Sequence, residues 1–158
     1  MLKFFLGLCL LVISSFASAE PQTWYFVRHF EKLLGDNPSL TETGKARAEA
    51  LAAFFSNKSI THVYSTDYNR TLETATPVAT LKNISIKYYD PRSLAEFANK
   101  IKTLDHVLVV GHSNTTPQIL SLMGGEDINI EESDYGVVYK LQKHDLGHAT
   151  QSISITLK

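Results

Sequence analysis

The chain has 158 residues, 44% of them hydrophobic, and its 15 Lys and Arg nearly balance its 16 Asp and Glu. This length is sufficient to bury the core of one domain. The near-neutral charge and the lack of a basic block argue against nucleic acid as a partner.

The first 19 residues have the layout of a secretory signal peptide. Lys3 precedes an apolar run from Phe4 to Phe16, and Ala17-Ser18-Ala19 has the small residues typical of a cleavage site. The run is shorter than the roughly 18 apolar residues of a membrane span, so we expect no stable membrane anchor after cleavage. Cys9 is the only cysteine. Residues 20–158 are therefore predicted to form a single domain with neither a disulfide nor a thiolate metal site.

Apolar, β-prone runs alternate with helical patterns through most of the chain. Four such runs are Trp24 to Val27, His62 to Ser65, Ile84 to Tyr89 and His106 to Val110. This alternation is typical of α/β proteins with a parallel sheet. Two further runs, Val137 to Gln142 and Gln151 to Thr156, flank a predicted hairpin turn at Asp145-Leu146-Gly147.

The first two predicted helices lie between the first three runs. The first begins at the cap residue Thr41 and has one apolar face, formed by Ala48, Leu51, Ala52 and Phe55. The second begins at Asp67, and we expect Pro77 to kink or end it because the proline ring would clash with a preceding carbonyl.

The third and fourth helices have sequence signals at their ends. Ser93 to Glu96 form a capping-box pattern at the start of the third helix. The fourth has Thr116 as its predicted cap, Pro117 at the first helical position and Gly124-Gly125 just past its end. The free N–H groups at its N-terminus make a natural anion site.

Two of the predicted strands end in histidine. Arg28 and His29 follow the first strand, and His112 follows the fourth. If these strands are neighbours, their carboxyl ends meet at a crevice of the kind where open α/β sheets bind ligands. Two imidazoles and a guanidinium at one crevice suit a phosphate group.

These residues and their spacing resemble the histidine phosphatase superfamily, also called the phosphoglycerate mutase-like family, along nearly all of residues 20–158. Four family motifs occur in the family's order: Arg28-His29-Phe30 for Arg-His-Gly, Leu40 to Gly44 for Leu-Thr/Ser-x-x-Gly, Ser65 with Arg70, Thr74 and Ala75, and Gly111-His112. Each motif is weak alone, but the ordered set is specific. The resemblance implies a three-layer α/β sandwich, with a mostly parallel central sheet of about six strands flanked by helices.

The resemblance also implies the chemistry. His29 would be the nucleophile that becomes phosphorylated, Arg28 and Arg70 would bind the phosphoryl oxygens, and His112 would complete the clamp. His29 must attack through a neutral ring nitrogen, so its other nitrogen needs an acceptor such as a backbone carbonyl. Water would then hydrolyse the phosphohistidine. This scheme requires no metal or other cofactor.

Several positions around the motifs are open. Phe30 replaces the family's glycine, and its side chain either turns into the core or narrows the mouth of the pocket. Asp90 is the positional candidate for the proton donor to the leaving group, with an ordinary turn residue as an equal alternative. Glu31 and Asp36 are weaker donor candidates. Phe30, Glu31, Ser113 and Asn114 are also candidates for contact with the substrate.

Two rival functions fit parts of the sequence. A serine hydrolase would use Ser113, because Gly111 to Asn114 begin like a nucleophile elbow, but Thr115 stands where that motif needs glycine. A non-catalytic phospho-ligand binding protein would keep the arginines and lose turnover.

The sequence therefore predicts a phosphomonoester hydrolase of the bacterial periplasm or the extracellular space. A phosphatase is favoured over a mutase because the chain is short and shows no insertion to cap a bisphosphorylated intermediate. Its substrate would be a small phosphorylated molecule, such as an envelope sugar phosphate. A bacterial source is favoured because, of the Asn-x-Ser/Thr triplets at Asn57, Asn69, Asn83 and Asn114, two flank the predicted site, where a glycan would obstruct it.

Overall fold

A computed structural model describes residues 21–157, so the predicted signal peptide lies outside the described residues. The strands of this part of the chain form one sheet of six: β1 (Thr23–Arg28), β2 (His62–Ser65), β3 (Ile86–Tyr88), β4 (Val107–Gly111), β5 (Val137–His144) and β6 (Gly147–Ser154). Their order across the sheet is β3-β2-β4-β1-β5-β6. Neighbours are parallel from β3 to β1, whereas β5 and β6 each pair antiparallel with the preceding strand in that order.

The register of the two central strands brings the predicted site together. Arg28 of β1 lies opposite Gly111 of β4, and the N–H of His29 donates to the Gly111 carbonyl at 2.9 Å. Gly111 is required here, because a Cβ would lie 2.7 Å from the Tyr89 hydroxyl oxygen. The two strands therefore deliver His29 and His112 to the same edge of the sheet.

Four helices cover the two faces of the sheet: α1 (Glu42–Phe55), α2 (Asn69–Lys82), α3 (Leu94–Ile101) and α4 (Thr115–Leu122). Side chains of α1 and α2 share one buried cluster with Tyr25 and Val27, while those of α3 and α4 share another with Trp24 and Phe26. Alternate residues of β1 thus serve opposite layers. The predicted three-layer α/β sandwich is confirmed. Within residues 21–157, no helix is both long enough and apolar enough to cross a membrane.

The helix α1 begins as predicted, and α2 does not. Thr41 caps α1 by accepting the Gly44 N–H at 3.0 Å, and the predicted apolar face is buried. The helix α2 begins at Asn69 instead of Asp67 and continues past Pro77 to Lys82. Pro77 removes one N–H donor, but Val78 and Ala79 beyond it are buried in the core. Burial of these side chains therefore stabilises the helix by more than the missing hydrogen bond at Pro77 destabilises it.

Capping at α3 and α4 also differs from the prediction. Ser93 precedes α3 but makes no side-chain capping bond. The helix α4 begins at Thr115, with Asn114 at the N-cap, because the Thr115 hydroxyl accepts the His112 N–H at 2.9 Å and starts the turn early. Pro117 still lies in the first turn, where a missing donor costs no intrahelical bond. The predicted hairpin is present, but β6 begins earlier, at Gly147, because pairing continues to the turn.

Candidate active site

The carboxyl ends of β1 and β4 and the first turn of α2 bring four side chains together. The ring centroids of His29 and His112 are 5.6 Å apart, and Nη2 of Arg70 is 3.3 Å from Nδ1 of His112. Arg28 lies directly before His29 and is only 3% exposed. We call Arg28, His29, Arg70 and His112 the floor. The four residues that carry the predicted chemistry thus lie in one cluster.

The His29 ring is held in one tautomer. Its Nδ1 is 2.8 Å from the Phe30 carbonyl oxygen, which can only accept a hydrogen bond. Nδ1 therefore carries the proton, and Nε2 keeps its lone pair. Burial lowers the pKa of His29 to about 4, and the charge of Arg28 adds to this shift. The ring is consequently neutral at pH 7, as a nucleophilic nitrogen must be.

The His112 ring has the opposite arrangement. The Arg70 guanidinium can only donate, so Nδ1 of His112 accepts, and its Nε2 carries the proton that is donated to the Thr66 hydroxyl at 3.0 Å. Burial lowers the pKa of His112 to about 4, assisted by the nearby charges of Arg70 and Arg28. Both imidazoles of the floor are therefore neutral.

The loop between α4 and β5 wraps the guanidinium of Arg28. Its Nη1 donates to the carbonyl oxygens of Glu131 at 2.7 Å and Asp134 at 3.0 Å. Its Nη2 donates to the Glu132 carboxylate at 3.0 Å, and the Tyr135 ring lies 4.3 Å from the guanidinium carbon. The orientation of Arg28 is thus fixed by a segment more than a hundred residues away in the chain.

Two guanidinium N–H groups of the floor have no partner. Nε of Arg28 and Nε of Arg70 are buried and make no hydrogen bond to any described residue. An unpaired buried donor is costly, and guanidinium N–H groups bind oxyanions well. The floor therefore has the donors and the positive charge to bind a phosphoryl group.

A cleft of about 550 Å³ lies over the floor. His29, Arg70 and His112 line its base, whereas the buried Arg28 is not a lining residue. We call the other lining residues the rim: Lys32, Tyr68, Pro91, Arg92, Ser113, Asn114, Thr115 and Glu132. Glu132 is the only carboxylate among these residues. The cleft has the size of a small-molecule site, and its charge is mainly positive.

Phe30 belongs to the core. Its side chain is fully buried among residues of α1 and α2 and does not line the cleft. Its backbone N–H donates to the Thr74 hydroxyl at 3.1 Å, and this hydroxyl donates to the Arg70 carbonyl at 2.8 Å. Of the two positions predicted for the Phe30 side chain, the structure shows the one in the core and not the one at the mouth of the pocket. Direct substrate contact by its side chain is not supported.

Two acidic candidates point to other partners. The Glu31 carboxylate accepts from Arg47, with Nη2 to Oε1 at 2.6 Å. Asp90 accepts from Nε of Arg92 at 3.0 Å. Neither carboxylate lines the cleft. The structure therefore does not bring them to the floor, whereas it does bring Ser113 and Asn114 to the rim.

Three contacting residues have no signal in the motifs. The Tyr68 ring centroid lies 5.2 Å from that of His112 and 4.7 Å from the Arg70 guanidinium carbon. Glu132 and Tyr135 reach Arg28 from the loop before β5. Tyr68 could have been suspected because it lies two residues before Arg70. Nothing local in the sequence identifies the other two.

The fold and the motifs agree with comparisons to known proteins. The model of the histidine phosphatase superfamily (branch 1) matches residues 25–99. No curated protein sequence matches the chain.

Solved structures share the fold at low sequence identity. A mycobacterial glucosyl-3-phosphoglycerate phosphatase is 9% identical with a TM-score of 0.67, and the match covers 87% of this chain and 99% of that chain. The same mycobacterial enzyme with inorganic phosphate is 10% identical with a TM-score of 0.60, covering 85% and 97%. The protein histidine phosphatase SixA with tungstate is 13% identical with a TM-score of 0.68, covering 84% and 96%. At these identities the similarity establishes the fold alone.

Proposed function

We propose that the chain, of which residues 25–99 match the model of the histidine phosphatase superfamily (branch 1), hydrolyses phosphomonoesters through a phosphohistidine on His29. The observation that carries the proposal is the composition of the floor. It combines two neutral imidazoles, 5.6 Å apart, with two guanidiniums that each keep a buried, unpartnered N–H. A phosphoryl dianion in the cleft would contact Arg70, which lines it, and would lie near the charge of the buried Arg28. A neutral Nε2 of His29 can attack it.

The first step would transfer the phosphoryl group to His29. Arg28 and Arg70 hold its oxygens and neutralise the charge that would repel a nucleophile. The dianion also raises the pKa of the neighbouring His112 ring and favours a proton on its Nδ1. His112 could then donate to a phosphoryl oxygen. Nε2 of His29 forms the P–N bond as the ester P–O bond breaks.

The second step would regenerate the enzyme. Water attacks the phosphohistidine, the P–N bond breaks and inorganic phosphate leaves. The Phe30 carbonyl keeps its hydrogen bond to Nδ1 of His29, so the ring returns to the same tautomer. This backbone contact makes the nucleophile reusable without any rearrangement of the floor.

We propose a small phosphorylated substrate, such as an envelope sugar phosphate. The cleft of about 550 Å³ suits a molecule of that size, and the rim offers the cations Lys32 and Arg92 to further anionic groups. The mycobacterial structural neighbour is a phosphatase of glucosyl-3-phosphoglycerate, a phosphorylated sugar compound. Export to a bacterial periplasm or to the medium is part of the proposal and is supported by the layout of residues 1–19.

The test of activity is a panel of phosphomonoesters with the chain from residue 20 onward. We expect p-nitrophenyl phosphate and sugar phosphates to be hydrolysed, and His29→Ala to lower kcat by at least about 10³-fold, because the nucleophile is lost. Acid-labile phosphate should be trapped on the wild type and not on His29→Ala. The matched control is His144→Ala, which removes an exposed imidazole of the β5–β6 hairpin.

A binding protein is the second candidate function, and the same panel separates it. It would bind inorganic phosphate, lose that binding on Arg70→Ala and show no turnover. The serine hydrolase has no support from the contacts of Ser113, whose hydroxyl donates to Glu132 and not to a histidine. Ser113→Ala should therefore leave phosphohistidine formation from p-nitrophenyl phosphate intact.

The proposed location needs its own test. The full chain, expressed in a Gram-negative host, should be recovered from the periplasm or the medium with Glu20 at its N-terminus. Recovery from the cytoplasm with Met1 retained would contradict export.

A further inference from the structure

Glu132 stands apart from every other acidic residue that the structure describes. It is the only carboxylate that lines the cleft, and its side chain is 80% exposed. Its Oε2 accepts from Nη2 of Arg28 at 3.0 Å, and its Oε1 accepts from the Ser113 hydroxyl at 2.7 Å. Both partners directly adjoin a histidine of the floor: Arg28 precedes His29, and Ser113 follows His112.

The position of Glu132 is set by its loop. The carbonyl oxygens on either side of it, from Glu131 and Asp134, both hold Nη1 of Arg28. The backbone of the loop is therefore anchored on the floor even if the Glu132 side chain moves. An anchored backbone with an exposed carboxylate at its centre suits a group that must reach the substrate and also exchange protons with water.

We propose that Glu132 is the proton donor for the leaving group. This inference rests on the proposed phosphatase function. As the P–O bond of the ester breaks and the P–N bond to His29 forms, the Glu132 carboxyl gives its proton to the leaving oxygen, which departs as an alcohol. In the second step the Glu132 carboxylate takes a proton from the attacking water, and this restores the acid form.

Binding of the substrate supplies the change in protonation that this role requires. Without a ligand, the hydrogen bond from Ser113 and the charge of Arg28 lower the pKa of Glu132. A phosphoryl dianion on the floor competes for Arg28 and brings a like charge beside the carboxylate. Both effects raise the pKa of Glu132 and favour uptake of a proton from solvent.

Asp90, the donor candidate from the sequence, is less suited to this role. It makes two hydrogen bonds with the Arg92 guanidinium and one with the Arg92 N–H, and it does not line the cleft. Proton donation from Asp90 would require breaking these contacts and moving toward the floor. Glu132 already lines the cleft, and it needs only to release Arg28 when the phosphoryl group binds.

The experiment compares Glu132→Gln on substrates with good and poor leaving groups. p-Nitrophenolate leaves without help, whereas the alkoxide of a sugar phosphate must be protonated. We expect kcat/KM on glucose 6-phosphate to fall by about 10² or more and on p-nitrophenyl phosphate by less than about fivefold. Glutamine keeps the size of the side chain and an acceptor for Ser113, so the loop should stay in place.

Three further variants sharpen the result. Glu126→Gln removes the same charge from the same loop at an exposed site and should leave both substrates unaffected. Ser113→Ala removes the hydrogen bond that positions Glu132 and should give a weaker form of the same substrate dependence. Glu132→Asp, which keeps the acid, should recover part of the activity on glucose 6-phosphate.

Several outcomes would overturn the assignment. Equal losses on both substrates, or no loss on either, would show that Glu132 does not protonate the leaving oxygen. Tighter inhibition by inorganic phosphate with unchanged leaving-group dependence would make Glu132 only a counter-ion of Arg28. The full substrate dependence in Asp90→Asn would transfer the role to Asp90. A wild-type protein inactive on both substrates would instead contradict the phosphatase function itself.

Discussion

The floor and the rim of the cleft adjoin each other, but they are held in different ways. On the floor, Arg28 and His29 are each 3% exposed, and backbone carbonyls hold both side chains. On the rim, the Glu132 side chain is 80% exposed and that of Arg92 is 88% exposed, and each is held through salt bridges. Exposed ion pairs are weak and exchange easily with water.

This difference matches two requirements of the proposed phosphoryl transfer. The nucleophile and the oxyanion donors must be fixed before the substrate arrives, because positioning accounts for much of the rate. A group that takes up and gives away protons must remain in contact with water. Rigid groups are therefore expected on the floor and mobile ones on the rim.

The largest expected effect concerns the core beneath the floor. Phe30→Ala should lower the free energy of unfolding by about 3–5 kcal/mol, because a fully buried ring is lost and a cavity remains. Urea denaturation measures this change. Leu34→Ala, at a 97% exposed leucine of the following loop, is the control and should change stability little. A small loss from Phe30→Ala would mean that the floor does not depend on this packing.

The next effect sharpens the contrast between arginines. Arg70→Ala should lower kcat/KM on p-nitrophenyl phosphate by roughly 10- to 100-fold, since charge-assisted hydrogen bonds to an oxyanion contribute about 1.5–3 kcal/mol. Arg92→Ala, on the rim, should cost less than about fivefold because its charge is exposed and already paired with Asp90. Equal losses for the two variants would remove the distinction between floor and rim.

A further effect is graded with pH. The pKa values of His29 and His112 are lowered from 6.5 to about 4 in the folded protein, chiefly by burial. Between those pH values the unfolded chain binds more protons than the folded protein. The free energy of unfolding should therefore fall as the pH is lowered from about 6.5 to 4, and the contribution of the two histidines to stability should be fully present above that range. Denaturation curves measured at several pH values and NMR titrations of the two rings check this. Titration midpoints near 6.5 for His29 and His112 in the folded protein would contradict it.

Three of the four floor residues could be predicted because each follows a local signal in the sequence. Arg28, His29 and His112 follow apolar β runs, and parallel neighbouring strands must end at the same edge of the sheet. Arg70 was identified only through the resemblance of Ser65, Arg70, Thr74 and Ala75 to a motif of the histidine phosphatase superfamily. The prediction needed only the order of the strands, and the observed pairing of β1 with β4 supplied it.

Helix boundaries and the contacts of the acidic candidates could be predicted less well. Pro77 does not end α2, because burial of Val78 and Ala79 outweighs one missing donor. Asp90 was the positional candidate for the donor, but its neighbour Arg92 binds it. The burial of Val78 and Ala79 is decided by tertiary packing, whereas the Asp90 ion pair is a local contact that the turn prediction did not include.

The sequence by itself determined the α/β class and the position of Arg28, His29 and His112 at the ends of two strands. These depend on hydrophobic period and on strand ends, which are local properties. Only the tertiary structure decided that Phe30 packs into the core and that Glu132 reaches Arg28 across more than a hundred residues. Such a contact depends on how a long loop closes over the sheet, and no short-range pattern encodes that closure.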